Sequence, residues 1–266
     1  MIYFFILMFA QVVLEVFPVS SSGQVALLEK IFFLIKKDAC FSLASNNVIS
    51  HFLHGPTMIV VALFFFDRWF FLLLHVRRCW KILLKLFVFV FAADVVTFFF
   101  FLLCNTFFNK TLFLVGVGFV ISAVALFSLL FCSTGKSGSV TFSKAILLGA
   151  VQGISLLPGI SRLGATFAAG CWLGISPRRS FEFSFAMQWP LITVGFFNSL
   201  RFMCSPFFYA YNNLFSLDVL MLLVTASVIS FFGLGFMQRL VLEKKTWIFS
   251  IIVMFSFVAW MLLPFL

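Results

Sequence analysis

Apolar runs of about 20 residues recur along the whole chain, and no other feature constrains its folding as tightly. A run of that length crosses a hydrocarbon core about 30 Å thick. In lipid every backbone N–H and C=O must find its partner inside the protein, so such runs become helices. Full-length candidates lie at about 50–73, 82–104, 112–132, 180–204, 217–237 and 246–265. A soluble domain is roughly a quarter charged because its surface faces water. This chain is 10% charged and 64% hydrophobic, with a mean hydropathy of +1.20, which excludes a soluble fold. Its 44 Phe are scattered through every segment and read as lipid-facing filler rather than an aromatic binding platform.

Two apolar regions depart from the spanning pattern. Residues 1–36 are interrupted by Glu15, Pro18, Ser20, Ser21, Ser22 and Gly23, and residues 143–176 by Gln152, Pro158, Gly159, Ser161 and Arg162. Each predicts two half-helices joined by a polar turn, a re-entrant hairpin. Irregular backbone at membrane depth is tolerated only inside protein or around a wet cavity. The two regions also resemble each other: each carries a Gln (Gln11, Gln152), then a Pro (Pro18, Pro158), then a Ser three residues on (Ser21, Ser161). Paired broken helices in matching halves point to a site near the midplane. Three predicted spans separate the hairpins, an odd number, so they enter from opposite faces and their tips can meet. The expected fold is therefore all-α and integral to the membrane. It has about six transmembrane helices and two re-entrant hairpins in one inverted-repeat domain over 1–266, with repeats at about 1–132 and 143–266.

The net charge of +10 comes from 18 Lys and Arg against 8 Asp and Glu. These charges gather at the ends of apolar runs, which the positive-inside rule explains without nucleic acid as a partner. Arg77, Arg78, Lys81 and Lys85 place the loop after the first span in the cytoplasm. Counting spans puts Lys136, Lys144, Arg178, Arg179, Arg239, Lys244 and Lys245 on the same side, with Lys110 and the charge-poor loop 205–216 opposite. Lys30, Lys36 and Lys37 fall outside this pattern. The six cysteines (Cys40, Cys79, Cys104, Cys132, Cys171, Cys204) form no CxxC pair and read as free thiols. The N-terminus lacks a basic region and a small-residue cleavage site, so it is expected to remain in the mature chain.

A few residues can carry chemistry. Glu15 is an ionisable group inside an apolar segment, which is expensive and so a functional candidate. It could ligate Mg²⁺ or Ca²⁺, act as a base, or pair structurally with Lys or Arg. Ser20, Ser21 and Ser22 follow Pro18 where a half-helix should open. Hydroxyls and free N–H groups there suit an anion, whereas plain N-capping needs one serine. Arg162 at the second tip suits phosphate oxygens bidentately, or a salt bridge to Glu15 that would bring the tips together anyway. Glu182 beside Arg178 and Arg179 reads as an interfacial ion pair. His51 and His54 share one helical face and are expected to pack, with a headgroup role as the alternative. His75 is expected at the interface, and Asp94, inside a span, has no assigned role.

These motifs resemble the bacterial undecaprenyl-diphosphate phosphatases, the membrane family linked with bacitracin resistance. The likeness is densest over Gln11 to Gly23, Leu148 to Gln152, Pro158-Gly-Ile-Ser-Arg162, Gly164-Ala-Thr166 and Glu182-Phe-Ser184-Phe. It implies removal of the terminal phosphate from a C55 polyprenyl diphosphate, dependence on a divalent cation, and frequent dimers. It also implies two re-entrant hairpins and an inner-membrane location with the site open to the periplasm. By position, Gln11 and Glu15 occupy the family's acidic motif, with Glu15 also as metal ligand, Ser21 its essential serine and Arg162 its essential arginine. Ser161 and Thr166 match supporting hydroxyls, and Ser20, Ser22 and Gly159 complete the expected substrate-binding set. Three positions depart from the pattern: Gln11 for an acid, Gln24 for a histidine, and Leu163 for a serine. Gln24 excludes any mechanism that requires that histidine. A polyprenyl-phosphate flippase is the alternative function, because inverted hairpins are also transporter architecture.

Overall fold

A computed structural model describes residues 2–36, 47–107, 112–132, 138–203 and 216–263. The loop 205–215 and Lys37, Lys110, Lys136, Cys40 and Cys204 lie outside the described residues. The described chain is helical, with one isolated bridge between Gly138 and Ile175. Helices α1 (Ile2–Leu14) and α2 (Ser21–Lys36) form the first hairpin, and α8 (Phe142–Ile154) and α9 (Arg162–Trp172) the second. At 1.5 Å per residue each arm is about 17–24 Å long, short of a membrane core. Between the hairpins run α3 (Asn47–Phe52), α4 (His54–Phe64), α5 (Phe66–Leu74), α6 (Val76–Phe107) and α7 (Leu112–Phe127). A 3₁₀ turn, Ser128–Phe131, closes α7. After the second hairpin come α10 (Pro177–Met203), α11 (Leu217–Leu242) and α12 (Ile248–Leu262).

Three of the expected spans, in α6, in α7 with its 3₁₀ turn, and in α11, are long and apolar enough to cross a bilayer. They make the chain an all-α, multi-pass membrane protein. α6 faces lipid along most of its length: Phe87, Phe91, Phe98 and Phe99 are all exposed. The span expected at 50–73 is not continuous. It breaks at Leu53 and bends by 68° between Val48–Phe64 and Phe66–Leu72. Pro56 explains the first break, because its nitrogen cannot donate to the Phe52 carbonyl four residues back. α5 leaves the axis, and Arg68 at its start pairs with Glu182, which also takes Arg178 at 3.2 Å.

Packing is exchanged between the halves. α1 lies on α11 and α8 lies on α6, while α7 and α12 pack on each other. A hydroxyl straps each of the first two contacts: Ser230 donates to Val12 O at 3.2 Å, and Thr97 to Gly149 O at 2.9 Å. α8 approaches closely enough that a Cβ on Gly149 would stand 2.3 Å from Ala93 O. Against this frame the two tips are held between α4, α6, α7 and α10.

Candidate active site

Each hairpin turns at a proline and restarts with a serine cap. After α1, Pro18 has no N–H to extend the helix, and Ser20 takes a positive φ of 62°. Ser20 Oγ accepts from Gly23 N at 3.3 Å, so Ser20 caps α2. After α8, Gly159 takes a φ of 86°, and Ser161 Oγ accepts from Gly164 N at 3.1 Å, capping α9. The tips touch: a Cβ on Gly164 would stand 3.3 Å from Pro18 O. The residue after each cap opens its helix, and these are Ser21 and Arg162.

Both point at one carboxylate. Ser21 Oγ donates to Glu15 Oε2 at 2.8 Å, and Arg162 Nη2 to Glu15 Oε1 at 3.2 Å. Gln188 Nε2, from α10, donates to Oε1 at 3.1 Å, and Gln11 Nε2 reaches Oε2 at 3.4 Å. Glu15 is buried, while Arg162 and Ser21 are partly open to a cavity of about 470 Å³. That salt bridge joins residues 147 apart in sequence and ties the hairpins together. His54 Nδ1 lies 3.5 Å from Glu15 Oε2 but makes no hydrogen bond. The cavity is lined by hydroxyls, among them Ser20, Ser22 and Ser161, and by apolar side chains, among them Phe98, Phe101, Leu156 and Leu157.

The expected residues divide. Gln11, Glu15, Ser20, Ser21, Ser22, Ser161 and Arg162 line the cavity. Gly159 and Thr166 are not on its wall. Thr166 Oγ1 donates to Arg162 O at 2.8 Å, within its own helix, and Gly159 lies against Val115 O of α7. The expected pairing of Ser21 with Ser161 is one residue out of register. Ser161 corresponds to Ser20 as a cap, which leaves Arg162 opposite Ser21. Gln24 also turns away: its Nε2 donates to Ser256 Oγ of α12 at 2.7 Å and to Val19 O at 3.2 Å. Leu163, where the family pattern has a serine, is buried in the core beside the cavity.

Gln188 was missed at the sequence level, and His54 was read as packing. A polar Gln in the charge-free run from Phe183 to Phe197 was the available signal for Gln188. For His54 it was the neighbouring Pro56, which breaks the helix and brings the ring to the tips. Asp94 finds a partner in Gln152, whose Nε2 reaches Asp94 Oδ1 at 3.4 Å, outside the cavity wall.

The sequence profile of the bacitracin resistance protein BacA family matches residues 4–258. The chain belongs to the BacA family. Curated relatives named undecaprenyl-diphosphatase include that of Borrelia hermsii, 28% identical over 92% of this chain and 92% of the relative. That of Carboxydothermus hydrogenoformans is 28% identical over 93% and 89%, and that of Thermotoga petrophila 30% identical over 77% and 84%. The match to the BacA family takes in both hairpins and therefore the whole Glu15–Ser21–Arg162 cluster.

Among the described residues no three His, Cys, Asp or Glu side chains gather into a metal cage. Glu15 is the cavity's single carboxylate, but two buried atoms that can accept, His54 Nδ1 in its Nε2–H tautomer and Gln188 Oε1, make no hydrogen bond within the protein. One carboxylate with adjacent acceptors suits a cation that takes its remaining ligands from a phosphate substrate and water.

Proposed function

We propose that this chain is a membrane phosphatase that hydrolyses undecaprenyl diphosphate, or a similar polyprenyl diphosphate, to the monophosphate and inorganic phosphate. The observation that carries this reading is the convergence of Ser21 and Arg162, each opening a half-helix, on Glu15. A hydroxyl hydrogen-bonded to a buried carboxylate is an activated nucleophile. A guanidinium at the same carboxylate is the fork that phosphate oxygens need. The apolar lining at Phe98, Phe101, Leu156 and Leu157 suits the first prenyl units, and Phe98 itself is exposed.

In this reading the terminal phosphate settles on Arg162 and on the free N–H groups that open α2 and α9. Ser21 Oγ attacks the terminal phosphorus and passes its proton to Glu15 Oε2, to which it already donates. The bond to the bridging oxygen breaks, and the prenyl monophosphate leaves. Glu15 passes that proton to the departing monophosphate, then takes one from the water that attacks the phosphoserine and returns it to Ser21 Oγ as inorganic phosphate leaves. Arg162, released from Glu15 Oε1 to the phosphate, stabilises the charge that builds on the equatorial oxygens. Glu15, with His54 and Gln188 nearby, would hold a divalent cation, Mg²⁺ or Ca²⁺ by the family likeness, which when bound neutralises diphosphate charge.

The same reading gives the fold one domain of two inverted repeats, about 1–132 and 143–266, supported by the exchanged packing of α1 on α11 and α8 on α6. The phosphatase would act in the bacterial inner membrane with its site open to the periplasm, recycle the lipid carrier of cell-wall synthesis and confer bacitracin resistance. A homodimer is the expected assembly. Phosphate release from a polyprenyl diphosphate by purified protein in detergent tests the activity. Transport of polyprenyl phosphate with no phosphate release would instead establish the flippase.

A further inference from the structure

We propose that His54 and Gln188 complete, with Glu15, a mixed nitrogen–oxygen cation shell, and that this shell ranks Mn²⁺ above Mg²⁺ and Ca²⁺. The inference deepens the phosphatase reading and rests on it for the cation's place in turnover, though not for its binding. Three elements meet here. Glu15 comes from the first hairpin, His54 opens α4, and Gln188 sits near the middle of α10, two residues before Pro190. His54 is 6% exposed and Gln188 4%, so both are nine-tenths buried and neither can recover a lost partner from bulk water.

Their open valences are specific. Gln188 turns Nε2 to Glu15 Oε1 and leaves its own Oε1 without a partner. His54 faces the other carboxylate oxygen, Oε2, at 3.5 Å, with Nδ1 unpartnered. An unsatisfied buried polar atom costs about 1–3 kcal/mol, so two beside one carboxylate require a use. A separation of 3.5 Å is long for a hydrogen bond but suits shared ligation. Adjacent corners of an octahedron of about 2.1–2.5 Å radius stand about 3–3.5 Å apart. Arg162 is on Oε1, and Oε2 already takes Ser21 at 2.8 Å and Gln11 at 3.4 Å, so a cation beside His54 would share Oε2 with those donors.

The nitrogen sets the preference. Mg²⁺ and Ca²⁺ are hard cations that select oxygen, whereas imidazole favours first-row transition ions. Mn²⁺ accepts carboxylate, amide oxygen and imidazole together. The histidine that the family pattern places after the serine is Gln24 here, and Gln24 is held on Ser256. The cavity's imidazoles therefore come from α3 and α4, as His51 and His54.

The test uses full-length protein purified without a histidine tag and titrated with Mn²⁺ under electron paramagnetic resonance. Binding removes the free-ion signal, and pulsed spectra detect coupling to a directly bound nitrogen. Wild type is expected to show that coupling, with Mg²⁺ or Ca²⁺ displacing Mn²⁺ only at about tenfold excess or more. Coupling should vanish in His54→Ala and persist in His51→Ala. His54→Gln, which supplies oxygen instead, should keep a bound cation but lose the preference for Mn²⁺. Gln188→Leu should weaken binding by about tenfold. Bound Mn²⁺ without nitrogen coupling in wild type, or no bound Mn²⁺ at all, overturns the shell without any variant having to fold. Equal displacement by Mg²⁺, or coupling that survives His54→Ala, does the same. Phosphate release from the same preparation keeps the two readings apart. Hydrolysis without nitrogen coupling removes only the shell, and coupling without hydrolysis by any of these cations removes only the phosphatase.

Discussion

At the first hairpin tip a serine, Ser20, takes the left-handed backbone conformation, whereas at the second the same conformation falls on a glycine, Gly159. Ser20 is both the strained residue and the cap of α2, while the second tip divides these tasks between Gly159 and Ser161. The reason is what lies behind each turn. Gly159 lies flat on α7, where a Cβ would stand 2.3 Å from Val115 O, and Ser122 of α7 donates to Gly159 O and accepts from Ser161 N. The first tip is tied through the Gln24 side chain to Ser256 of α12. The Ser122 hydroxyl thus holds the second tip by its backbone atoms, whereas the first is held by a side chain of α2. Each gives the cavity one charge, Glu15 from the first and Arg162 from the second. The position matching Glu15, counted from each Gln, is Leu156, which also lines the cavity. Two tips on one plan give the cavity unlike side chains because their sequences differ at that position and at the residue after the cap.

The comparison can be broken at several points. A large effect is expected at the second tip's charge. Arg162→Lys keeps the charge but loses the fork, and should cost at least about a hundredfold in phosphate release with expression retained. Near-normal turnover would show that the second tip contributes only packing. Next is exchange of the backbone roles. Gly159→Ala adds a Cβ against Val115 O in a left-handed residue and should cost at least about 2 kcal/mol of stability. Ser20→Gly relieves the same kind of strain while losing a cap worth a few tenths, so it should stay within about 1 kcal/mol of wild type. Thermal unfolding in detergent measures both, and equal losses would remove the distinction between the tips. The smallest effect is expected at Gln24. Gln24→Ala should lower stability by about 1 kcal/mol, and Gln24→His should leave the rate unchanged or somewhat higher, because the position faces α12. A rate collapse in Gln24→His would place that side chain in the cavity after all.

Much of this was legible in the sequence because lipid makes the pattern rigid. Apolar length fixed the helices in α6, α7 and α11, and polar interruptions marked both hairpins. The register of the tips was not legible. Matching the hairpins by their prolines pairs Ser21 with Ser161, yet each cap serine lies nine residues after its glutamine, Ser20 after Gln11 and Ser161 after Gln152. The cap, a hydrogen bond, sets the register, and proline only forbids helix. The break at Leu53 was overlooked because Pro56 sits in an otherwise long apolar run. Gln188 stayed hidden because its partner is 173 residues away, beyond any local pattern.

The central claim is that the tips are inequivalent, with Ser21 attacking phosphorus and Ser161 only capping α9. Its most direct test compares phosphate release and polyprenyl-diphosphate binding in Ser21→Ala and Ser161→Ala, purified in parallel. Loss of a nucleophile costs several orders of magnitude, so Ser21→Ala should fall by about a thousandfold or more while binding is largely kept. Ser161→Ala should lose about 1 kcal/mol of stability with the helix cap and retain a rate within about tenfold of wild type. A fall of only about tenfold to a hundredfold in Ser21→Ala, matched by Ser161→Ala, would contradict the account: both serines would then be phosphate ligands, and water would be the attacking group.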